Sequence, residues 1–305
     1  MHVSLPISRY DGVRPQRHRV VMHQQRTSSH VLRPPFFAAS PVVEVALSVA
    51  LQPIAKLRMI ELVRLRDALF QEFPRDEEQP PYLMPIEQFG DRQQPPRPVL
   101  QFLQGLPAPR LWLFDQDSDP STQLIQLQNN YFARNWRKAP GAAYPRYPAL
   151  RQLFEQDLAR LQDYLRTEDL GDLVPIQCEL TYVNHIEAPA GGADLSSVLS
   201  LLARRQSLGK QAWPAPESIR LATQFLIEHE GAPVGRVYVS ADPAVRLDDN
   251  VPVVLLNVTA RGAPLSDGVH GVVEFLELAH VQAVSTFESI TTSEMHKQWG
   301  KSDDD

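Results

Sequence analysis

Hydrophobic residues along this chain switch from a period of two to a helical period, and that order of patterns occurs twice, which restricts the fold more than any other feature. From Pro41 onward, Val43, Val45, Leu47, Val49 and Leu51 alternate with Glu44, Ala46, Ser48 and Ala50. This alternation is that of a strand with one apolar face. After Pro53, the residues Met59, Leu62, Val63, Leu69, Phe70 and Phe73 fall on one stripe of a helix that ends before Pro74. Three β-like runs follow at 99–103, 111–114 and 123–132, separated by turn residues such as Gly105, Pro107, Asp117 and Pro120. Leu150, Leu153, Phe154, Leu158, Leu161 and Leu165 then mark a second amphipathic helix, closed near Gly171.

The second half repeats the order: a strand at 176–186, a short helical stretch at 195–203, strands near 219–229, 235–240 and 251–259, and a long helix at 268–290. The expected fold is therefore α+β, with two successive β-α-β-β-β-α halves (41–171 and 172–300) forming a pseudo-symmetric body of largely antiparallel sheets with helices packed on one face. The repeat is one of pattern, since the halves share no residue-level identity. Thr291-Thr292-Ser293-Glu294 reads as a capping box that starts a last helical turn ending at Trp299-Gly300, and 301–305 as an acidic tail.

Residues 1–40 lack this patterning. They carry six arginines against the single acid Asp11, which leaves a net charge of −11 on the remainder of a chain whose total is −6. Such a segment reads as a disordered basic leader, as upstream sequence preceding a true start at Met22, or as a transit peptide. The acidic body argues against wholesale wrapping of nucleic acid. The longest apolar run, near 253–258, is far short of the roughly 20 residues that a membrane span needs. A lone cysteine, Cys178, excludes an intrachain disulfide and a CxxC metal or redox pair, and the expected compartment is the cytoplasm.

The chemical signatures are mostly negative. No GxxxxGK[ST], GxGxxG, GxSxG or HExxH occurs. The Asp115, Asp117, Asp119 spacing suggests a calcium loop, but Pro120 stands where glycine is needed and Gln126 where a bidentate glutamate is needed, so neither metal nor cofactor is expected. Two features remain. His280 lies on the apolar stripe of the last long helix with Leu276, Val284 and Phe287. It reads as a general base, with Glu44 or Glu179 as inward-facing strand carboxylates, or as a core histidine bonded to a carbonyl or a tyrosine. The stretch 134–151 holds Arg134, Arg137, Lys138, Arg146 and Arg151 without an acid, interleaved with Trp136, Tyr144 and Tyr147. Cations and aromatic faces together suit a nucleotide or nucleic-acid loop, and the alternative is a solvated loop whose aromatics tuck into the core.

Pro41-Val42-Val43-Glu44, Phe73-Pro74, the polar-aromatic run 127–136, Tyr182-Val183-Asn184-His185-Ile186, and a terminal helix with His280, Phe287 and Trp299-Gly300 together resemble a sporadically distributed family of bacterial proteins of similar size that has no known activity. The resemblance spans about Pro41 to Gly300. It departs at Val183-Asn184-His185, where relatives commonly carry an arginine, which loosens any role carried over onto that strand. What it implies is a soluble bacterial accessory protein associated with defence or toxin–antitoxin loci. The leading expectation is a non-enzymatic module that binds an anionic ligand or a protein partner through Asn135, Trp136, Arg137, Lys138 and Arg146, with nucleic acid entering only through this local patch. The alternatives are a hydrolase or nuclease using His280, and a structural subunit of an oligomer such as a homodimer.

Overall fold

The computed structural model describes residues 34–89, 109–188, 193–203 and 217–302. The expected strand at 99–103 and most of the leader lie outside these residues. Among them, nine strands form one antiparallel sheet: β2 (Val42–Leu51), β3 (Arg75–Gln79), β4 (Arg110–Phe114), β5 (Gln123–Gln128), β6 (Tyr131–Arg137), β7 (Pro175–Ile186), β8 (Leu221–His229), β9 (Ala232–Val245) and β10 (Pro252–Gly262). Their order is β3-β4-β5-β6-β2-β7-β10-β9-β8. The two opening strands β2 and β7 pair with each other at the centre, and the later strands of each half extend outward on either side. The fold class is α+β, as the alternation of patterns implies.

Helices α1 (Met59–Leu69), α2 (Arg146–Thr167) and α5 (Gly268–Ile290), with the short α3 (Leu195–Val198) and α4 (Ser200–Ala203), accompany the sheet. Val45, Leu47 and Val49 of β2, Leu180 of β7 and Val254, Leu256 and Val258 of β10 join Leu62, Leu65, Phe154, Leu158, Phe275 and Leu276 of the helices in one continuous core. Burying one face of each strand against one stripe of each helix is what the two periods encode. Gly235 and Gly262, opposite each other on β9 and β10, let α5 approach closely. A Cβ on Gly262 would lie 2.3 Å from the Phe275 ring, so any larger residue would push the helix outward. Among the described residues no helix is long and apolar enough to cross a membrane.

Several elements depart from the sequence reading. The run 123–132 is a hairpin, β5 and β6, that turns at Asn129-Asn130. β3, with the sequence Arg-Asp-Glu-Glu-Gln, has no apolar alternation and pairs with β4 as an edge strand, with Arg75 over the ring of its partner Phe114, so among the described residues the first half is β-α-β-β-β-β-α. α1 stops at Leu69, and Phe70 and Phe73 are buried beyond it. The last short helix, α6 (Ser293–Gln298), is capped by Thr292, whose hydroxyl accepts from the Met295 amide; Thr291 bonds back to the Phe287 carbonyl instead. The body also reaches past both expected ends: β1 (Phe36–Phe37) pairs with β11 (Lys301–Ser302), and Phe37 packs edge-on against Phe287 and Trp299. Two-residue strands carry no readable period, which is why both ends look unstructured in the sequence.

The sheet face opposite the helices is polar and crossed by residues 80–89. Glu87, with a side chain only 4 % exposed, accepts from the Tyr238 hydroxyl at 2.6 Å and pairs with Arg236, while its amide donates to Gln177.

Candidate functional site

Where α2 begins, the central strands, α5 and the segment around β1 enclose a cavity of about 420 Å³. The period of β7 turns Tyr182 and Asn184 toward the helices, and Asn184 is fixed by donating to the Leu256 carbonyl at 3.0 Å. On α5 the small residue Ala283 lies beside His280 and leaves space next to it, with Phe287 two turns further on. Tyr144 and Tyr147 arrive from Tyr-Pro-Arg-Tyr-Pro at the start of α2, where Arg146 adopts φ 69°, a left-handed conformation that costs a non-glycine residue on the order of 1 kcal/mol. Its guanidinium donates to the Phe37 and Ala38 carbonyls at 3.0 and 3.2 Å and lies over the Phe36 ring, which ties the segment around β1 to the cavity mouth.

The wall is a chain of neutral polar groups on aromatic rings. The Tyr182 hydroxyl and His280 Nδ1 share a hydrogen bond of 2.8 Å, and Tyr144 lines the same cavity. The Tyr147 ring stacks on the imidazole with centroids 4.0 Å apart and planes 8° from parallel. Burial pushes His280 down to about 4 and Tyr144 up to about 12, and it raises Tyr147 and Tyr182 as well. All four are therefore uncharged at neutral pH. Tyr147 is 3 % exposed, and no protein group among the described residues hydrogen-bonds its buried hydroxyl.

The five residues expected to form a basic-aromatic surface do not share one. Asn135 is buried on the polar face of the sheet, accepting from Gln126 and donating to Glu44 at 2.6 Å. Trp136 is buried on the other face, packed against Tyr144 behind the cavity wall. Arg137 is half-buried at the end of β6, Lys138 is exposed, and only Arg146 lines the cavity. Arg134 is internal and paired with Asp157 of α2, and Arg151 is paired with Glu155 and Glu277. The stretch contains no acid of its own, but acids outside it pair with Arg134 and Arg151, and two of them, Asp157 and Glu277, come from elements that counting charge along the stretch does not bring together with it.

His280 has the tyrosine partner of the core-histidine reading, and among the described residues no carboxylate hydrogen-bonds it. Glu44 and Glu179 lie on the opposite sheet face, bonded to Asn135 and to Arg261 respectively, so neither reaches the imidazole. Asp115 of the rejected calcium loop accepts from the Thr122 amide and hydroxyl and so closes a turn. In the sequence Tyr182 and Asn184 stand as parts of a motif, and the signal for their role is their period-two phase, which puts them on His280's side of the sheet. Compared with protein-family models, curated proteins and solved structures, the chain matches none.

Proposed function

We propose that this chain is a non-enzymatic binding module of a bacterial accessory system, and that its ligand is an uncharged, mostly apolar ring compound carrying one hydrogen-bond acceptor. The observation that carries this reading is the cavity of about 420 Å³ walled by Tyr144, Tyr147, Tyr182 and Phe287, beside which the buried Tyr147 hydroxyl has no protein partner among the described residues. Binding pockets fall roughly between 300 and 1,000 Å³, mostly apolar with a few placed polar groups. A buried hydroxyl left unpaired costs about 1–3 kcal/mol, which an acceptor on the ligand would recover.

The four ring side chains of the wall are uncharged and the guanidinium of Arg146, the cation in the lining, is engaged with two carbonyls, which supports a neutral ligand. A hydrolase or nuclease built on His280 draws no support from carboxylates that lie across the sheet. The matching strand orders outward from the centre, β2-β6-β5-β4 and β7-β10-β9-β8, support an internal duplication, with β2 and β7 as equivalent strands and β3 as an addition to the first half. The single cysteine, buried at Cys178, is in keeping with a cytoplasmic setting.

Three probes test the ligand class by calorimetry: acetophenone, benzoate and toluene. Acetophenone is expected to bind more tightly than toluene, and Tyr147→Phe to weaken acetophenone roughly tenfold while leaving toluene unchanged, the size of one hydrogen bond. Tighter binding of benzoate than of acetophenone would overturn the neutral-ligand reading, and no binding of any probe would remove the cavity as the site.

A further inference from the structure

The two edges of the sheet are built differently. β3 is five residues long, four of them charged, and Arg75 is engaged with Glu77 and Asp119. Short, charged edges are how proteins prevent further strands from adding. β8 at the other edge is nine residues long, Leu-Ala-Thr-Gln-Phe-Leu-Ile-Glu-His, with no lysine or proline and Glu228 as its one formal charge. Among the described residues it pairs with β9 alone. Phe225 and Leu226 are 39 % and 50 % exposed. Phe225, paired with Val237, lies on the helix side of the sheet, and Leu226, paired with Arg236, on the polar side, so apolar surface is exposed on both faces of this edge.

We propose that β8 pairs antiparallel with β8 of a second copy of this chain, joining two nine-stranded sheets across a two-fold axis. The only symmetric register that pairs all nine residues puts Phe225 on the axis, facing its counterpart. It sets Thr223 opposite Ile227 and Gln224 opposite Leu226, so no residue crosses to the wrong face. Glu228 then meets Ala222, and no like charges are opposed. Just beyond the strand, Arg220 meets Glu230 of the other copy, giving two ion pairs related by the axis. The present partner of Arg220 is Asp242 at 3.4 Å, with the arginine side chain 79 % exposed, and so shallow a pair does not compete strongly with an interfacial one. An edge with neither lysine nor proline and with self-complementary ends fits a second copy better than an unrelated strand.

Sedimentation velocity on the full chain at micromolar concentration tests this. The wild type is expected to sediment as a dimer, and Phe225→Lys, which sets two ammonium groups against each other on the axis, as a monomer. Arg220→Glu is expected to weaken association roughly fivefold or more, and adding Glu230→Arg to restore it. Circular dichroism identifies any variant that fails to fold; the charge-reversal pair uses exposed positions and decides the question even if Phe225→Lys unfolds. A monomeric wild type overturns the proposal, as does a dimer indifferent to all three variants, which would use another face.

Discussion

Tyr147 and His280 show how little of a residue's role its type reveals. Tyr147 stands beside Arg146 in sequence and His280 among apolar residues, yet both line the same cavity, one with an orphan hydroxyl and the other with a satisfied imidazole. His280 was legible as a helix-stripe histidine with a tyrosine as one candidate partner; that the partner was Tyr182, 98 residues away, depended on β7 and α5 packing together. Its burial has a consequence for stability. The imidazole is held near 4 in the folded chain against about 6.5 when exposed, so the unfolded chain takes up a proton that the folded one refuses. Stability is therefore expected to be full above about 6.5 and to fall by roughly 3 kcal/mol as pH drops toward 4. The check is the urea midpoint across that window for wild type and His280→Gln, whose difference isolates the imidazole from the carboxylates; parallel curves would refute it. Tyr147→Phe belongs to the same scale: it removes no protein hydrogen bond, so the unliganded variant should melt within about 0.5 kcal/mol of wild type even as acetophenone affinity falls.

The elements differ in how openly the sequence declares them. β2, β7 and α5 are long and strictly periodic, and their spans agree closely with the pattern. β3 is all polar and exists because β4 offers it a ladder; β1 and β11 exist because each offers the other two residues. The apparent basic loop fails for a related reason, since its first four residues end strand β6 and Arg134 among them reaches Asp157 on α2. With side chains 9 % and 5 % exposed, this pair joins β6 to α2 in the core. Asp157→Ala would leave a buried guanidinium without its counterion and is expected to destabilise the fold by about 3–5 kcal/mol. Chemical denaturation reads this directly, and a loss below about 1 kcal/mol would show that Arg134 finds other partners.

At the scale of the whole molecule, the two halves share one sheet and one core, joined where β2 meets β7 over nearly their full lengths. A fragment of residues 41–171 would expose the long apolar edge of β2 and lose the neighbour of α2, so it is expected to aggregate or remain unfolded, where the intact chain shows a folded circular dichroism spectrum. A fragment that folded independently would mean that the halves are separate domains.

Periodicity alone determined the class and the long strands and helices that build the core, because the periods of strand and helix are local and each core-facing residue repeats them; β3, β1 and β11, which carry no period, it did not determine. The site was decided elsewhere. Tyr144 and Tyr147, Tyr182, and His280 come from three separate stretches of chain, and they meet because a strand in the sheet centre and two helices bury the same face. Which charges are paired and, among the described residues, which hydroxyl lacks a partner and which edge stays open depend on neighbours distant in sequence, and on those points only the tertiary structure speaks.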